Sequence, residues 1–455
     1  MPRRVRVLVV DDSAVIRKLI TTVLSADADI EVVGTANDGA QGLQLIEELK
    51  PDAVTLDIEM PVLDGLQTMR QIRQRWRRLP VIMFSTLTER GASATLEALH
   101  AGASDYVTKP SNHGSFDESM RSVREQLIPR LKALTASALN PPPPRTSLPA
   151  TSTPLPVAAD GARRPVATGR PRALVIGSST GGPEALLTVL QGLPATFPVP
   201  VLITQHMPPV FTKMYAQRLD GMCALKVVEA GDGEPVVAGS VYVAPGDFHM
   251  EVVRGGNGPQ IRLQQGPPEN FCRPAVDVMI RSAVRFFGGD LLAVILTGMG
   301  SDGRNGCREV STAGGQIVVQ DEATSVVWGM PGAVARDGTA QEVLPLDRIA
   351  EAIRRRTPGA GPARPAAPAV ADPAPGAPPP RATLPARPTP PRTPLPARTP
   401  ASPTPATPGR RFVFPNRVTT PRPAVPRPTP DPSRSARPAT TQSPPGSGRQ
   451  TPGRW

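Results

Sequence analysis

Cysteine is scarce in this sequence, and its placement argues against two kinds of site. The 455 residues include three cysteines, Cys223, Cys272 and Cys307, with no C-x-x-C pair among them. Neither a disulfide framework nor a zinc site of the usual ligand spacing is expected from these positions. Such a composition fits a reducing compartment, so we expect a cytoplasmic protein.

Long apolar runs are also missing, which bears on membrane insertion. No stretch reaches the roughly 18 apolar residues that a membrane-spanning helix requires. The first residues, MPRRVRVLVVDD, pass directly into a strand pattern and contain no apolar core of a signal peptide. The sequence therefore predicts a chain without a membrane span.

Lysine is absent from the C-terminal segment, where arginine accounts for the net charge. Residues 357–455 contain 14 arginines and two acids, Asp372 and Asp431, which equals the formal charge of +12 of the whole chain. The remainder carries no net charge, so the folded regions give no electrostatic indication of nucleic-acid binding. The basic segment is either a solvated spacer or an arm for an acidic partner, and both interpretations stay open.

Proline divides the chain into regions. The 59 prolines are concentrated in residues 141–171 and from Pro358 onwards, in segments poor in the residues that build a core. We predict a first compact domain over 1–135, a disordered proline-rich linker over 136–171, a second compact domain over 172–355 and a disordered basic tail over 356–455.

Short apolar runs alternate with amphipathic stretches in the first domain. The strand-like runs are VRVLVV (5–10), IEVVGT (30–35), AVTLDI (53–58), PVIMFS (80–85) and SDYVTK (104–109). Apolar residues at helical spacing fill AVIRKLITTVL, GAQGLQLIEELK and GLQTMRQIRQRW between them. The pattern predicts an α/β domain with one doubly wound parallel sheet, in which chemistry gathers at the carboxyl ends of the strands.

Acids follow two of these strands. Asp11 and Asp12 come after the first strand, and Asp57 ends the third. Converging carboxylates repel one another unless a cation neutralises them, and oxygen ligands of this kind suit Mg²⁺. Because Ser85 and Lys109 also follow strands, the set is suited to phosphoryl transfer onto Asp57.

A serine lies in a glycine-rich turn at the start of the second domain. Residues 177–181, GSSTG, match G-x-S-x-G with Ser179 at the centre, between a strand-like run and a helix that contains Pro183 in its first turn. The pattern is typical of a strand-to-helix elbow that presents a nucleophile, although a phosphate-binding turn remains the alternative.

Candidates for a base and an orienting acid also follow strand-like runs. His206 comes after VPVLITQ, and Asp302 lies shortly after DLLAVILTG. Serine, histidine and aspartate would then meet at one edge of a parallel sheet, as a hydrolytic triad requires. His249 competes as the base from a predicted strand or hairpin, and Cys272 and Cys307 are weaker alternatives for the nucleophile.

The first domain closely resembles the receiver domain of response regulators in the segments VVDDS, LDIEMPVLDG and YVTKP. The resemblance implies phosphorylation of Asp57 by a chemotaxis histidine kinase, with Asp12, Asp57 and the Glu59 backbone carbonyl as ligands of Mg²⁺ beside Asp11. It also implies that Ser85, Tyr106 and Lys109 respond to the phosphoryl group. Thr86 is the alternative to Ser85.

The second domain resembles the chemotaxis methylesterase family in GSSTGG, QHMPP, CRPAVDVM and LTGMGSDG. That family has an α/β catalytic domain, and the resemblance implies Ser179 as nucleophile, His206 as base, Asp302 as orienting acid and the Met299 backbone N–H as an oxyanion donor. No cofactor is implied for the ester chemistry. Arg273 is a candidate contact to an acidic receptor segment.

The resemblance covers about residues 5–350 and implies an enzyme that acts on methyl-accepting chemoreceptors. It would remove methyl groups from glutamate side chains as methanol and deamidate particular glutamines. An unphosphorylated receiver would cover the catalytic cleft. A DNA-binding output is disfavoured because the second domain is large and rich in strands, whereas a binding module with an inactive triad stays open.

Overall fold

The computed structural model describes residues 3–110, 115–139 and 169–358. The predicted disorder of the tail beyond residue 358, and of most of the linker, lies outside these residues. Within the described part of the chain, no helix combines the length and the apolar character needed to cross a membrane.

A five-stranded parallel sheet forms the first domain, in the order β2-β1-β3-β4-β5. Its strands are β1 (Val5–Val10), β2 (Ile30–Ala36), β3 (Ala53–Asp57), β4 (Val81–Ser85) and β5 (Asp105–Thr108). The helices are α1 (Ala14–Ser25), α2 (Gly39–Leu49), α3 (Gly65–Arg75), α4 (Glu89–His100) and α5 (Phe116–Leu139). α5 continues past the predicted domain end at residue 135.

Local sequence explains why these elements form where they do. The central strands consist mostly of apolar residues, and nearly all their side chains are buried, as strands covered on both faces require. Each of the first four helices begins at a residue whose side chain accepts a backbone N–H, and these caps are Ser13, Asp38, Asp64 and Thr88.

A seven-stranded parallel sheet forms the second domain, in the order β14-β13-β12-β6-β7-β9-β8. Its strands are β6 (Ala173–Ser178), β7 (Val201–Gln205), β8 (Lys226–Glu229), β9 (Ser240–Val243), β12 (Leu291–Ile295), β13 (Gln316–Gln320) and β14 (Glu342–Leu344). A separate antiparallel hairpin consists of β10 (His249–Gly255) and β11 (Gly258–Gln264).

Helices pack beside this second sheet. They are α6 (Gly182–Gln191), α7 (Phe211–Met222), α8 (Val276–Phe287), α9 (Arg304–Thr312), α10 (Met330–Arg336) and α11 (Leu346–Arg356). Two doubly wound parallel-sheet domains were predicted, and this prediction is confirmed. The adjacency of β12, β6 and β7 brings the segments after these three strands to one edge.

The two domains share one continuous apolar cluster. α4 of the first domain packs against α7 and α6 of the second. The ring of Tyr106 lies parallel to that of Phe211, with centroids 4.7 Å apart. Through α4, the first domain therefore contacts α6, the helix that begins directly after the serine turn.

Candidate active site and phosphorylation site

The serine turn is held in place by its backbone. Ser179 follows β6, and its N–H donates to the Thr297 carbonyl at 3.0 Å. Gln205 donates to the Ser179 carbonyl at 2.9 Å and accepts from the Ser178 hydroxyl at 2.6 Å. Gly181 has a φ of 75°, a conformation that glycine adopts without strain. The glycines are therefore needed for the turn that places Ser179 before α6.

His206 and Asp302 form a direct pair. The Nε2 atom of His206 lies 2.8 Å from Oδ2 of Asp302. The buried Asp302 carboxylate also accepts backbone N–H groups from Val276, Asp277 and Gly303 at 2.7 to 2.9 Å. Two of these donors belong to the first turn of α8, where the helix dipole favours a negative charge. Both carboxylate oxygens of Asp302 thus accept hydrogen bonds, which fix the orientation of the pair.

This environment shifts the pKa values of both partners. Burial opposes the charged form of Asp302, but the hydrogen bond from His206 and the backbone N–H groups lower the pKa of this carboxyl. Burial likewise opposes the charged form of His206, but the hydrogen bonds to Asp302 and Cys272 raise the pKa of the imidazole to about 10. Both shifts favour a negative charge on Asp302 and a positive charge on His206.

Ser179 lies beside this pair without a hydrogen bond to it. Among the described hydrogen bonds, none joins the Ser179 hydroxyl to His206. The His206 backbone N–H donates to the Ser178 carbonyl at 3.2 Å, and the Nδ1 atom of His206 faces Cys272 Sγ at 3.6 Å. Catalytic hydrogen bonds often form only when substrate is bound. Two of the three predicted residues are therefore paired here, and the third is adjacent along the sheet edge.

The turn that contains Met299 touches the serine turn. A Cβ atom added to Gly298 would lie 2.9 Å from Ser179 Cβ and 3.0 Å from its backbone nitrogen. The Thr297 hydroxyl donates to the Thr180 carbonyl at 2.9 Å. In the described part of the chain, no protein acceptor receives the Met299 N–H. Met299 directly follows Gly298, the residue that approaches Ser179.

The competing candidates differ in their access to the site. His249 is buried, and its ring is satisfied by the Pro267 carbonyl and the Ala275 N–H. Cys307 is also buried, which raises the pKa of its thiol far above the ordinary range. Cys272 alone among these lies next to His206. Arg273 pairs with Asp247 and with two backbone carbonyls, so its charge is already neutralised within the domain.

Several site residues were not anticipated from the sequence. The Asn270 side chain donates to Asp302 at 2.9 Å and to Asp277 at 3.0 Å, and so joins the two buried carboxylates. Gln205 directly precedes His206 and fixes the serine turn. Gln205 could have been identified from the sequence, because it directly precedes the candidate base His206. Asn270 could not, because it is 32 residues from Asp302 and no local pattern links the two.

Three carboxylates of the first domain converge beside Lys109. Carboxylate oxygens of Asp11, Asp12 and Asp57 lie within 4.8 Å of one another. Lys109 Nζ is 2.8 Å from Asp57 Oδ1 and 3.1 Å from Asp11 Oδ2. Burial, together with the charge of Asp11, raises the pKa of Asp57 to about 6. Asp57 Oδ2 is buried and has no hydrogen-bond partner among the described residues, so this set of oxygens fits a divalent cation.

The side chains of Ser85, Thr86 and Glu59 have other partners among the described residues. The Ser85 hydroxyl is buried, donates to the Gly91 carbonyl at 3.1 Å and accepts from Thr95, so it is directed into α4. Thr86 pairs with Thr88. The Glu59 side chain lies 3.6 Å from Arg90.

Further polar contacts connect the receiver to the serine turn. The Thr180 hydroxyl donates to Asp105 at 2.5 Å, and Arg130 donates to the same carboxylate at 3.0 Å. His100 Nδ1 lies 3.1 Å from Glu184 in α6. A receiver carboxylate thus binds the residue that directly follows Ser179.

Both domains match known families. The response regulator receiver domain matches residues 7–121, and the CheB methylesterase domain matches residues 174–353. A solved structure, the Thermotoga maritima CheB methylesterase catalytic domain, is 44% identical, covers 41% of this chain and 98% of that chain, and has a TM-score of 0.40.

Curated relatives span both domains. A protein-glutamate methylesterase/protein-glutamine glutaminase of Nocardioides sp. is 55% identical over 353 residues, 77% of this chain and 95% of the relative. A protein of the same name from Trichodesmium erythraeum is 47% identical over 77% of this chain and 98% of the relative. The chain belongs to this family of protein-glutamate methylesterases/protein-glutamine glutaminases, with a response regulator receiver domain before the CheB methylesterase domain.

Proposed function

We propose that this protein is a phosphorylation-activated chemotaxis esterase. It hydrolyses methyl esters of glutamate side chains in chemoreceptors, and it deamidates specific receptor glutamines. The observation that carries the proposal is the pair of His206 with the buried Asp302, 2.8 Å apart, beside the Ser179 turn. A parallel sheet supplies all three from adjacent strands.

The reaction begins with Ser179. Its oxygen attacks the side-chain carbonyl carbon of the ester as His206 accepts the hydroxyl proton. The tetrahedral intermediate collapses, the carbon–oxygen bond to the methoxy group breaks, and methanol leaves with that proton. Water then attacks the acyl-enzyme as His206 accepts one of its protons. His206 passes that proton to the Ser179 oxygen as the bond between the acyl carbon and this oxygen breaks, and the product acid releases its remaining proton to give the glutamate carboxylate. With glutamine as substrate, ammonia leaves in place of methanol.

The Met299 N–H is the proposed donor to the developing oxyanion. It lies in the turn that contacts Ser179 through Gly298. A donor of this kind contributes about 10²–10³-fold to the rate in other hydrolases. His206 must be neutral to accept the serine proton, and its raised pKa therefore makes the reaction faster as the pH rises.

The first domain is the proposed switch. Asp57 would accept the phosphoryl group from a chemotaxis histidine kinase, and Lys109 would bind a phosphoryl oxygen from its position 2.8 Å from Asp57. Asp11, Asp12, Asp57 and the Glu59 backbone carbonyl are the proposed holders of Mg²⁺, which neutralises the phosphoryl charge when bound. Burial and the charge of Asp11 raise the pKa of Asp57, and a bound cation would offset the repulsion between the two carboxylates.

Inhibition by the unphosphorylated receiver completes the proposal. The contacts of Asp105 with Thr180 and of Tyr106 with Phe211 support it, because both reach residues next to the serine turn. The Ser85 hydroxyl is bonded into α4, and its rotation toward phosphorylated Asp57 would alter the α4 surface that packs on α7. Activation is then a shift toward a population in which the receiver has moved away.

The proposed partners are methyl-accepting chemoreceptors as substrate and the chemotaxis kinase as phosphodonor, both met in the cytoplasm. The folded domains have no proposed role with nucleic acid. The four regions, 1–135, 136–171, 172–355 and 356–455, remain our proposed division, in which the basic tail is either a solvated spacer or an arm for an acidic partner.

The decisive experiment measures methanol release from membranes that contain methylated receptors, with and without a small-molecule phosphodonor. Ser179→Ala should abolish methanol release and leave receptor binding intact, because only the attacking oxygen is lost. Retained turnover in this variant would assign the nucleophile to another residue.

A further inference from the structure

A tight hairpin turn lies next to the His206–Asp302 pair. Glu269 and Cys272 exchange two backbone hydrogen bonds, of 3.1 and 2.9 Å. The two residues between them, Asn270 and Phe271, have φ values of 52° and 62°. A two-residue loop with positive φ at both positions is a type I′ turn.

Phe271 is an unusual residue for its position in this turn. Asparagine is common at the first position, but the second is usually glycine, because a side chain with a Cβ atom is strained at positive φ. A bulky residue in this conformation is an outlier that points to a functional constraint. The sequence thus keeps an aromatic ring where glycine would be more stable.

The ring gains no compensating burial. Phe271 is 102% exposed, which is the largest value for a large apolar side chain in the described part of the chain. Aromatic rings normally contribute to stability by burying their area. Neither the backbone nor the core of this domain benefits from Phe271.

Both neighbours of Phe271 contact the catalytic pair. Asn270 donates to Asp302 at 2.9 Å, and Cys272 Sγ lies 3.6 Å from His206 Nδ1. Consecutive Cα atoms are about 3.8 Å apart. The Phe271 backbone is therefore held one residue away from each contact, and the exposed ring stands at the rim of the site.

The charged residues around the turn are paired within the domain. Glu269 binds Arg281 at 2.5 to 2.6 Å, and Arg273 binds Asp247 and two carbonyls. The group that this segment leaves free for a partner is thus the aromatic ring.

We propose that Phe271 is a specificity-determining residue that packs against an apolar side chain of the receptor, next to the methylated glutamate. The inference rests on the proposed esterase function. It adds an explanation of how the enzyme distinguishes a protein substrate from a small ester. The fixed turn holds the ring in register with His206 and Asp302, so its contact aligns the ester with Ser179. Strain at Phe271 is retained because substrate binding, not folding, uses the side chain.

The test compares Phe271→Gly with wild type in the full chain. Burial of one aromatic ring on a partner corresponds to about 10- to 100-fold in binding. We expect kcat/KM for methanol release from methylated receptors to fall by roughly this factor, mainly through KM. Hydrolysis of p-nitrophenyl acetate should stay unchanged, and the Tm should rise because strain is removed.

Val62→Gly is a matched control. Val62 also has positive φ, 65°, and is 85% exposed, but it lies in the receiver. This variant should likewise raise the Tm, and at saturating phosphodonor it should leave both activities unchanged.

Other outcomes overturn the inference in distinct ways. An equal loss with receptor and with p-nitrophenyl acetate would mean that Phe271 positions the catalytic pair. Unchanged receptor kinetics would mean that the ring touches no substrate. If the wild type hydrolyses the small ester but releases no methanol from receptors, the proposed function fails, whatever Phe271 does.

Discussion

His206 lies between a carboxylate and a thiol, and both neighbours act on its pKa in the same direction. The hydrogen bonds to Asp302 and Cys272 outweigh burial and hold the pKa at about 10. An imidazolium cannot accept the Ser179 proton, so this environment limits the reactive fraction at neutral pH. Substrate that separates His206 from one of these partners would increase that fraction.

Asp302→Asn tests this relationship. Loss of the negative charge should lower the pKa of His206, because the charged imidazole loses its strongest partner. The acid limb of the kcat/KM profile should therefore move to lower pH, while kcat falls by about 10³–10⁴-fold as the ring loses its orientation. The measurement is the pH dependence of methanol release.

Asp277→Asn is the control for that measurement. Asp277 is a second buried residue whose side-chain carboxylate is linked to Asp302 through Asn270, while its backbone N–H, which the substitution keeps, donates to Asp302 directly. The Asp277→Asn variant should move the acid limb of the kcat/KM profile less than Asp302→Asn does. Equal shifts in the two variants would show that general field effects, and not the direct hydrogen bond, set the pKa of His206.

At the scale of elements, the turn between β6 and α6 depends on glycine at two successive positions. Gly181 requires positive φ, and a Cβ atom on Gly182 would lie 2.1 Å from Gln205 Oε1 and 2.9 Å from Ser178 Cβ. Gln205 cannot move away freely, since it binds both Ser178 and Ser179. The end of β6, the serine turn and the end of β7 are therefore structurally coupled through Gln205.

Gly182→Ala should consequently displace Gln205 and destabilise the fold by about 1–3 kcal/mol, with loss of esterase activity. Gly221→Ala is the matched control, because no atom lies within 4 Å of its added Cβ in α7. It should be neutral or stabilise by about 0.5–1 kcal/mol. Denaturant unfolding and methanol release check both variants, and an active, stable Gly182→Ala would contradict this account of the turn.

Sequence patterns predicted most elements that surround these sites. The runs at 5–10 and 53–58 became β1 and β3 with at most one residue of difference, because fully buried parallel strands are continuous apolar runs. The Asn270 contact to Asp302 and the strained Phe271 had no such signal. Both features depend on which loops the fold brings together. The spacing of apolar residues and the secondary-structure propensities do not indicate which loops will meet.

At the scale of the whole molecule, the family resemblance implied contact between the domains, but the sequence did not indicate which residues make it. Tyr106 was expected to respond to phosphorylation, but its stacking on Phe211 depends on two surfaces 105 residues apart. The exposed pair of Lys213 with Glu89, at 3.7 Å, contributes little to such a contact, whereas the stacked buried rings contribute more.

Tyr106→Leu should therefore raise the esterase activity of the unphosphorylated protein several-fold, because it removes the ring stacking and shifts the population toward the open arrangement. Phosphodonor should raise the activity of this variant less than that of wild type. Glu89→Gln, in the same interface, should leave both values near those of wild type.

Two further variants can show whether phosphorylation of Asp57 acts through the contact of Tyr106 with Phe211. Asp57→Asn cannot accept a phosphoryl group, so its activity should stay at the unphosphorylated level. If phosphorylation acts only by opening the interface, Tyr106→Leu combined with Asp57→Asn should keep the raised activity of Tyr106→Leu alone. A return of the double variant to the low level would mean that Asp57 controls the catalytic domain by a route that bypasses Tyr106, and measuring methanol release in all four proteins distinguishes the two.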